Sequence, residues 1–177
     1  MVSFPGYVAV AADVDQRWLD SWVDVDDNLS APLGALFLSA LEERLRLVSG
    51  TIDVVLLAPP ATGEPPLPLT PVTDSEHRRV RRARRYRQDV EVWTSGPGTL
   101  VLGRGLAGRW EVAVEVDEDG RNRGLGRSLA AAARHLVPEG RPVWAQVAPG
   151  NAASLRAFLA AGYTPVGGEV LLMPVRG

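Results

Sequence analysis

The stretch GRNRGLGRSL, Gly120–Leu129, sets three arginines and three glycines within ten residues. Arg121, Arg123 and Arg127 repel one another unless an anion lies among them. The stretch follows the apolar run around VEV and precedes SLAAAARHL, so it sits where a strand runs into a helix. A helix N-terminus presents unpaired backbone N–H groups and the positive end of the helix dipole. Gly124 and Gly126 carry no Cβ and let a diphosphate approach the backbone, while the guanidinium groups add charge-assisted hydrogen bonds around the same point. The chemistry this pattern serves is diphosphate binding. Two other phosphate loops do not fit. Gly124-Leu125-Gly126-Arg127-Ser128-Leu129 lacks the third glycine of the dinucleotide fingerprint and follows a run of strands instead of opening a first βαβ unit. No Gly-Lys-Ser/Thr of a Walker loop is present.

Other residues carry chemistry nearby. Glu111 and Glu115 lie on one side of the strand-like run RWEVAVEVDE by its period of two. They are the carboxylates available to accept a proton; the plainer reading is a solvated position paired with arginines. A bulge in that strand would turn them to the side where Val112, Val114 and Val116 otherwise point. NAASLRAFLAAGY, 151–163, reads as a helix stopped at Gly162, with the Ser154 hydroxyl in its first turn. The chain has no cysteine, which excludes a thiol nucleophile or thiolate metal site, and its two histidines, His77 and His135, are far apart, so no metal is expected.

Arg-x-x-Gly-x-Gly, here Arg121, Asn122, Arg123, Gly124, Leu125 and Gly126, resembles the acyl-CoA pyrophosphate loop of the GNAT N-acetyltransferase superfamily. It follows a hydrophobic strand holding Val114 and Val116, and one helix and one strand later comes a stretch similar to the family's second signature: Asn151, Ser154, Arg156, Phe158, Gly162 and Tyr163. The resemblance covers about residues 88–177. It implies an α/β (α+β) fold with a mixed, mostly antiparallel central sheet of about six or seven strands flanked by helices. It also implies a single domain over 1–177, with acceptor-side helices and a variable loop in 1–87 and the acyl-CoA-binding core in 88–177. The implied co-substrate is acetyl-CoA, with direct transfer of the acetyl group to a primary amine, on a small molecule or a peptide, in a ternary complex. By resemblance, the backbone of Val114 and Val116 pairs with the pantetheine arm, and the Val116 amide polarises the thioester carbonyl. Residues Arg121, Asn122, Arg123, Gly124, Leu125, Gly126 and Arg127 wrap the pyrophosphate. Asn151 bonds the pantetheine, Phe158 packs along it, and Arg127 or Arg156 reaches the 3′-phosphate. Glu111 or Glu115 is the candidate base. Many family members carry a tyrosine general acid where this chain has Phe158, which has no proton to give. Ser154 or water is then the donor to sulfur, and a non-catalytic acyl-CoA-binding module is the alternative reading. Dimers are common in the family.

The remaining elements must hold these residues. The length, 177 residues, and 46% apolar composition suit one globular domain. The start carries no basic segment followed by an apolar run, and no stretch approaches a membrane span, so a cytoplasmic protein without membrane partners is expected. All 19 basic residues are arginine. With abundant Ala, Gly and Pro this suggests a GC-rich coding sequence, so only the position of an arginine informs. A net charge of −2 exerts no global pull on nucleic acid.

Periodicity predicts a strand over 7–12. An acidic-faced helix follows, holding Trp18, Leu19, Trp22 and Val23 with aspartates between 13 and 27. A second helix is capped by Ser30 and runs to Gly50. TIDVVLLA reads as a buried strand, followed by a loop with six prolines. DSEHRRVRRARRYRQD reads as a short helix capped by Asp74 or Ser75, its arginine face partly neutralised by the aspartates of the first helix. Three strands then form an antiparallel meander, and helix, strand, helix and one or two strands complete the chain.

Overall fold

A computed structural model describes residues 1–22, 31–138 and 140–174. Among them are eleven strands and five α-helices, which group into two compact units. The smaller holds Met1–Val55, Ala148–Gly150 and the chain from Val166 onward; the larger holds Leu56–Val147 and Asn151–Pro165.

In the smaller unit, β1 (Val2–Phe4) and β2 (Tyr7–Ala9) form an antiparallel hairpin, and β1 also pairs with β10 (Thr164–Glu169) through Val2↔Glu169 and Ser3↔Gly168. The strand expected over 7–12 is therefore shorter and belongs to a hairpin that starts at Val2. Helix α1 (Gln16–Asp20) spans only five residues; the Asp15 carboxylate caps it by accepting from the Trp18 N–H at 2.8 Å. Val23, Val25, the aspartates at 24, 26 and 27, and the expected cap Ser30 lie outside the described residues. Helix α2 (Ala35–Leu45) starts after Gly34 and stops five residues before Gly50, because Arg46 turns left-handed at φ 54°. The chain then forms β3 (Leu47–Ser49), paired with β11 (Leu172–Pro174). Phe37, Leu38, Leu41, Met1 and Val170 make the core of this unit, and Trp18 packs against it.

In the larger unit, strands follow in the order β4-β9-β8-β7-β6-β5. These are β4 (Asp53–Ala58), β9 (Val143–Val147), β8 (Trp110–Val116), β7 (Gly98–Arg104), β6 (Gln88–Ser95) and β5 (Thr70–Pro71). The three-stranded meander β6-β7-β8 is present as expected. The fold is a mixed α/β architecture, mostly antiparallel and flanked by helices, with more strands than the six or seven expected. Aliphatic β7 is covered on both faces, with Leu100, Val101 and Leu102 all buried. On one face lies α3 (Arg78–Tyr86), which buries Val80 and Ala83 against Val92 and Val101. Its N-cap is His77, whose Nδ1 accepts from the Arg79 N–H at 3.3 Å, not Asp74 or Ser75.

Helix α4 (Leu125–Ala133) buries Leu129, Ala130, Ala132 and Ala133, and α5 (Ala152–Ala160) buries Phe158. Gly162, at φ 87°, turns the chain out of α5 as its sequence position predicts. Tyr163 then ties the two helices: its hydroxyl donates to the Ala130 carbonyl at 3.0 Å, and its ring meets Phe158 edge-on at 4.9 Å. Arg134 closes the same end by donating to the carbonyls of Ala161 (3.1 Å) and Pro59 (3.0 Å), the latter in the proline-rich loop. Helix α4 can lie close to β7 because residue 98 has no side chain; a Cβ there would sit 2.6 Å from Leu129 Cδ1. Gly98→Ala should therefore destabilise the protein by about 1–3 kcal/mol, as overpacking does, read as a drop of several degrees in Tm by calorimetry. An unchanged Tm would show that α4 is not seated by this contact.

Candidate functional site

The site starts with a pairing that stops. β8 pairs with β7 without interruption, from Gly98↔Val116 to Arg104↔Trp110. On its other edge β8 runs parallel to β9, but the register contains only Trp110↔Val143 and Glu111↔Trp144. β8 continues through Val112–Val116 and β9 through Ala145–Val147 with no further rung between them among the described residues. Backbone donors and acceptors at a strand edge need partners. The upper edge of β8 is therefore placed to take a hydrogen-bonding chain that is not β9.

The faces of β8 follow from its neighbours. Ala113 packs with the Val80, Ala83, Val92 and Val101 cluster under α3, and by alternation Glu111 and Glu115 share that face. Val112, Val114 and Val116 point the other way, and a Cβ at Gly126 on α4 would lie 3.8 Å from Val116 Cγ2. The register with β7 contains no bulge; the irregularity lies in β6, between Gln88 and Glu91, where Asp89 has φ 50°. Of the two orientations left open by the sequence, the regular one holds: valines toward α4, glutamates toward α3.

The loop after β8 leads directly into the N-terminus of α4. Asn122 (φ 62°) and Gly124 (φ 81°) are left-handed, which turns the chain sharply into α4. Gly124 is the N-cap and offers no side-chain acceptor. The first intrahelical bond is Ser128 N–H to the Gly124 carbonyl, so the amides of Leu125, Gly126 and Arg127 have no partner within the helix. Nothing lies within 4 Å of a Cβ built on Gly124, and one on Gly126 meets only ordinary contacts with Val116 and Ala157. Packing thus does not require glycine at 126. Arg121 donates to the Val116 carbonyl at 3.2 Å, joining the loop to the edge of β8. Arg123 and Arg127 are exposed, and no salt bridge to either exists among the described residues. Asn151 caps α5: its Oδ1 accepts from the Ser154 N–H at 3.1 Å, which leaves its amide N–H groups for another partner. Arg156 is exposed on α5.

The candidate proton carriers are less open. Glu111 is buried between Arg87 (Nε to Oε2, 3.1 Å) and Arg109 (Nη2 to Oε1, 3.0 Å). Glu115 is held by Arg78 at 3.0 Å and by Arg79. Burial pushes the Glu115 carboxyl up, but its hydrogen bonds to Arg78 and Arg79, with their charges, outweigh this and set it below the usual carboxylate range. Burial pulls the Arg87 guanidinium down from its ordinary value, against the Glu111 charge that supports it. Phe158 is buried against Tyr163, whose phenol is raised well above its ordinary value by burial, with the Arg134 charge acting the other way. A phenol so held, and already donating to Ala130, is a poor acid. Ser154 is half-buried in the first turn of α5.

Among the described residues the arginines of α3 and its C-cap have their own acidic partners. These are Glu115, Glu111 and Glu76, while Asp15 pairs with Arg44. Arg84 donates to the Thr73 carbonyl at 2.7 Å, and Arg82 and Arg85 stack on Tyr86. Sequence reasoning missed the roles of Arg87, Arg109 and Trp144. No local pattern marks them, because they meet Glu111 only through strand pairing.

Residues 112–170 match a family model described as FR47-like protein. Among solved structures, the chain is similar to a GCN5-related N-acetyltransferase from Kribbella flavida, with 17% identity, 78% of this chain and 64% of that chain covered, and a TM-score of 0.48. The comparison with curated proteins gives no match. Among the described residues no helix is long and apolar enough to cross a membrane, and no group of three or more His, Asp or Glu is placed to hold a metal ion.

The Glu115 environment predicts a pH effect. Its folded-state value is lowered, so its stabilising contribution is complete above the unfolded value and is lost as pH falls through the folded one. Glu115→Gln should therefore flatten the acid limb of the stability profile between neutral pH and the low carboxylate range. An acid limb identical to that of the wild type would refute the pairing.

Proposed function

We propose that the protein is an acetyl-CoA-dependent N-acetyltransferase of the GNAT type acting on a primary amine in a ternary complex, a reading supported by the match of residues 112–170 to the FR47-like family model. The observation that carries this reading is the fork between β8 and β9 beside the glycine-capped N-terminus of α4. The free upper edge of β8, at Val112–Val116, suits an extended amide-bearing arm. The unpartnered amides of α4, with Arg121, Arg123 and Arg127 around them, suit a diphosphate. The space over Gly124 is open, and at Gly126 a Cβ would meet only Val116 and Ala157 at ordinary contact distance, so a larger side chain at either would fill the cradle. The Asn151 amide is available to the arm, and Arg127 and Arg156 to a further phosphate.

The reaction joins the amine nitrogen to the thioester carbonyl carbon. The C–N bond forms, the C–S bond breaks, the amine loses a proton and the departing thiolate gains one. A backbone N–H of β8, that of Val116, would polarise the carbonyl. Glu111 and Glu115 are each tied to two arginines and point toward α3, on the face opposite the valines, so solvent takes the amine proton. Neither Phe158 nor Tyr163 protonates the sulfur; the Ser154 hydroxyl or water does. The same observations favour a second reading, a module that binds acyl-CoA without turnover. The acceptor, of small-molecule or peptide type, and any homodimer belong to the proposal alone, as does a cytoplasmic setting.

Calorimetry with acetyl-CoA tests binding. Ligand at a hundredfold over Kd adds roughly 2.7 kcal/mol, or about 5–10 °C in a domain of this size. Gly126→Ala should keep or slightly raise the unliganded Tm, since alanine is the better helix former, yet reduce the acetyl-CoA shift, and Gly126→Leu should abolish it. No shift in the wild type at millimolar acetyl-CoA sinks the reading. Turnover of an amine panel then separates the two forms. Transfer with Ser154→Ala slowed by about 10²-fold at unchanged CoA affinity makes Ser154 the proton donor. Unchanged rates assign that step to water, and binding without any transfer supports the non-catalytic module.

A further inference from the structure

The last rung of the β8–β9 pairing carries a buried cluster that the reaction does not use. Glu111 stands opposite Trp144, and in a parallel sheet directly paired residues project to one face. Arg109, two residues before Glu111 on the same face, bonds its Oε1 and also lies over the Trp144 ring, 5.3 Å from the centroid. Arg87, at the C-cap of α3, bonds the Glu111 carboxylate at 3.1 Å and its backbone carbonyl at 3.0 Å. The side chains of Glu111, Arg109 and Arg87 are at most 15% exposed. The backbone closes over them. The Gly105 N–H donates to the Arg109 carbonyl at 2.8 Å, and a Cβ on Gly105 would come within 2.5 Å of Glu111 Cδ. One carboxylate therefore links α3, the β7–β8 connection, β8 and, through the Arg109–Trp144 stack, β9.

A buried ion cluster is an expensive way to gain stability, because desolvation offsets its Coulombic energy; its directional bonds fix geometry instead. Here they fix one rung. Below it the strands are paired, and above it they are not. We infer that Glu111, with Arg109, Arg87 and Trp144, pins the base of the β8–β9 fork and so sets the width and register of the slot that receives the acyl-CoA arm. Glu111 is a positioning residue and not the base. This inference rests on the acyl-CoA reading of the fork, and its test is arranged so that each can fail alone.

Wild type, Glu111→Gln and Trp144→Phe are compared by titration calorimetry with CoA, by amide hydrogen exchange and by the pH profile of any transfer. Val80→Ala, a cavity variant under α3, reports what a loss of stability alone does. The expected result is a CoA Kd raised on the order of tenfold to a hundredfold in Glu111→Gln, with faster exchange of the amides at 110–111 and 144. Trp144→Phe should shift both in the same direction by less, and Val80→Ala should leave Kd unchanged despite its lower Tm. If Glu111→Gln does not fold, Trp144→Phe decides by the same two readouts. Wild-type Kd and exchange in the variants would overturn the pin. So would a Kd that rises equally in Val80→Ala, or a kcat loss that removes the acid limb of the pH profile at unchanged Kd, the mark of a base. A wild type that fails to bind CoA defeats the acyl-CoA reading, and the exchange data then test the pin by themselves.

Discussion

Two strands that share a direction share hydrogen bonds for only two residue pairs, Trp110↔Val143 and Glu111↔Trp144. The site's geometry depends on that limit. Had the pairing continued in register to Val114 opposite Val147, that edge of β8 would be satisfied internally and no chain could be received there. Because it stops, the fold presents a strand edge, and the loop that leaves this edge turns at once into the N-terminus of α4. Edge and helix end are joined by the Arg121 bond to the Val116 carbonyl. On the acyl-CoA reading, an amide-bearing arm and a diphosphate would meet complementary groups in the order in which the chain supplies them.

The arginines divide by what they face. Those of α3, with Arg87 and Arg109, meet partners within the protein, carboxylates, carbonyls and rings: Glu115, Glu111, Glu76, the Thr73 carbonyl, Tyr86 and Trp144. Those of the loop are turned outward and pair with no carboxylate among the described residues. In a chain without lysine, arginine serves both as solvating charge and as buried partner. The guanidinium is suited to the second use because it is planar, stacks on rings and bonds carboxylates in a fixed geometry.

The proton inventory is sparse for the same structural reasons. Both carboxylates of β8 serve as ion-pair partners, and the phenol nearest α5 is consumed in holding α4 to α5. Direct transfer from a thioester needs less acid–base help than hydrolysis of a stable amide, since the thiolate is a good leaving group. A site of this kind can operate chiefly by positioning and by a polarising backbone N–H.

How much of this was legible in the chain depends on distance along it. The loop Arg121–Arg127, the cap Asn151 with its helix, the turn at Gly162 and the meander 88–116 all follow from local chemistry: left-handed glycine, capping side chains and period-two runs. The family match falls on this half of the chain for the same reason. Other features were misread because neighbours in space overruled local propensity. Arg46 ends α2 early so that β3 can pair with β11. His77 displaces Asp74 and Ser75 as a cap. Most consequentially, Glu111 and Glu115 read as a possible base pair by period two, yet the sequence contains nothing that says which face is which. Only the tertiary structure, by pairing β8 regularly with β7 and laying α3 over it, turns them toward arginine. Sequence alone determined the glycine-capped turn into α4 and its arginines, because helix termini and glycine loops are local devices. Tertiary structure alone decided what the carboxylates do and where the strands part, because both depend on partners 24 to 37 residues away.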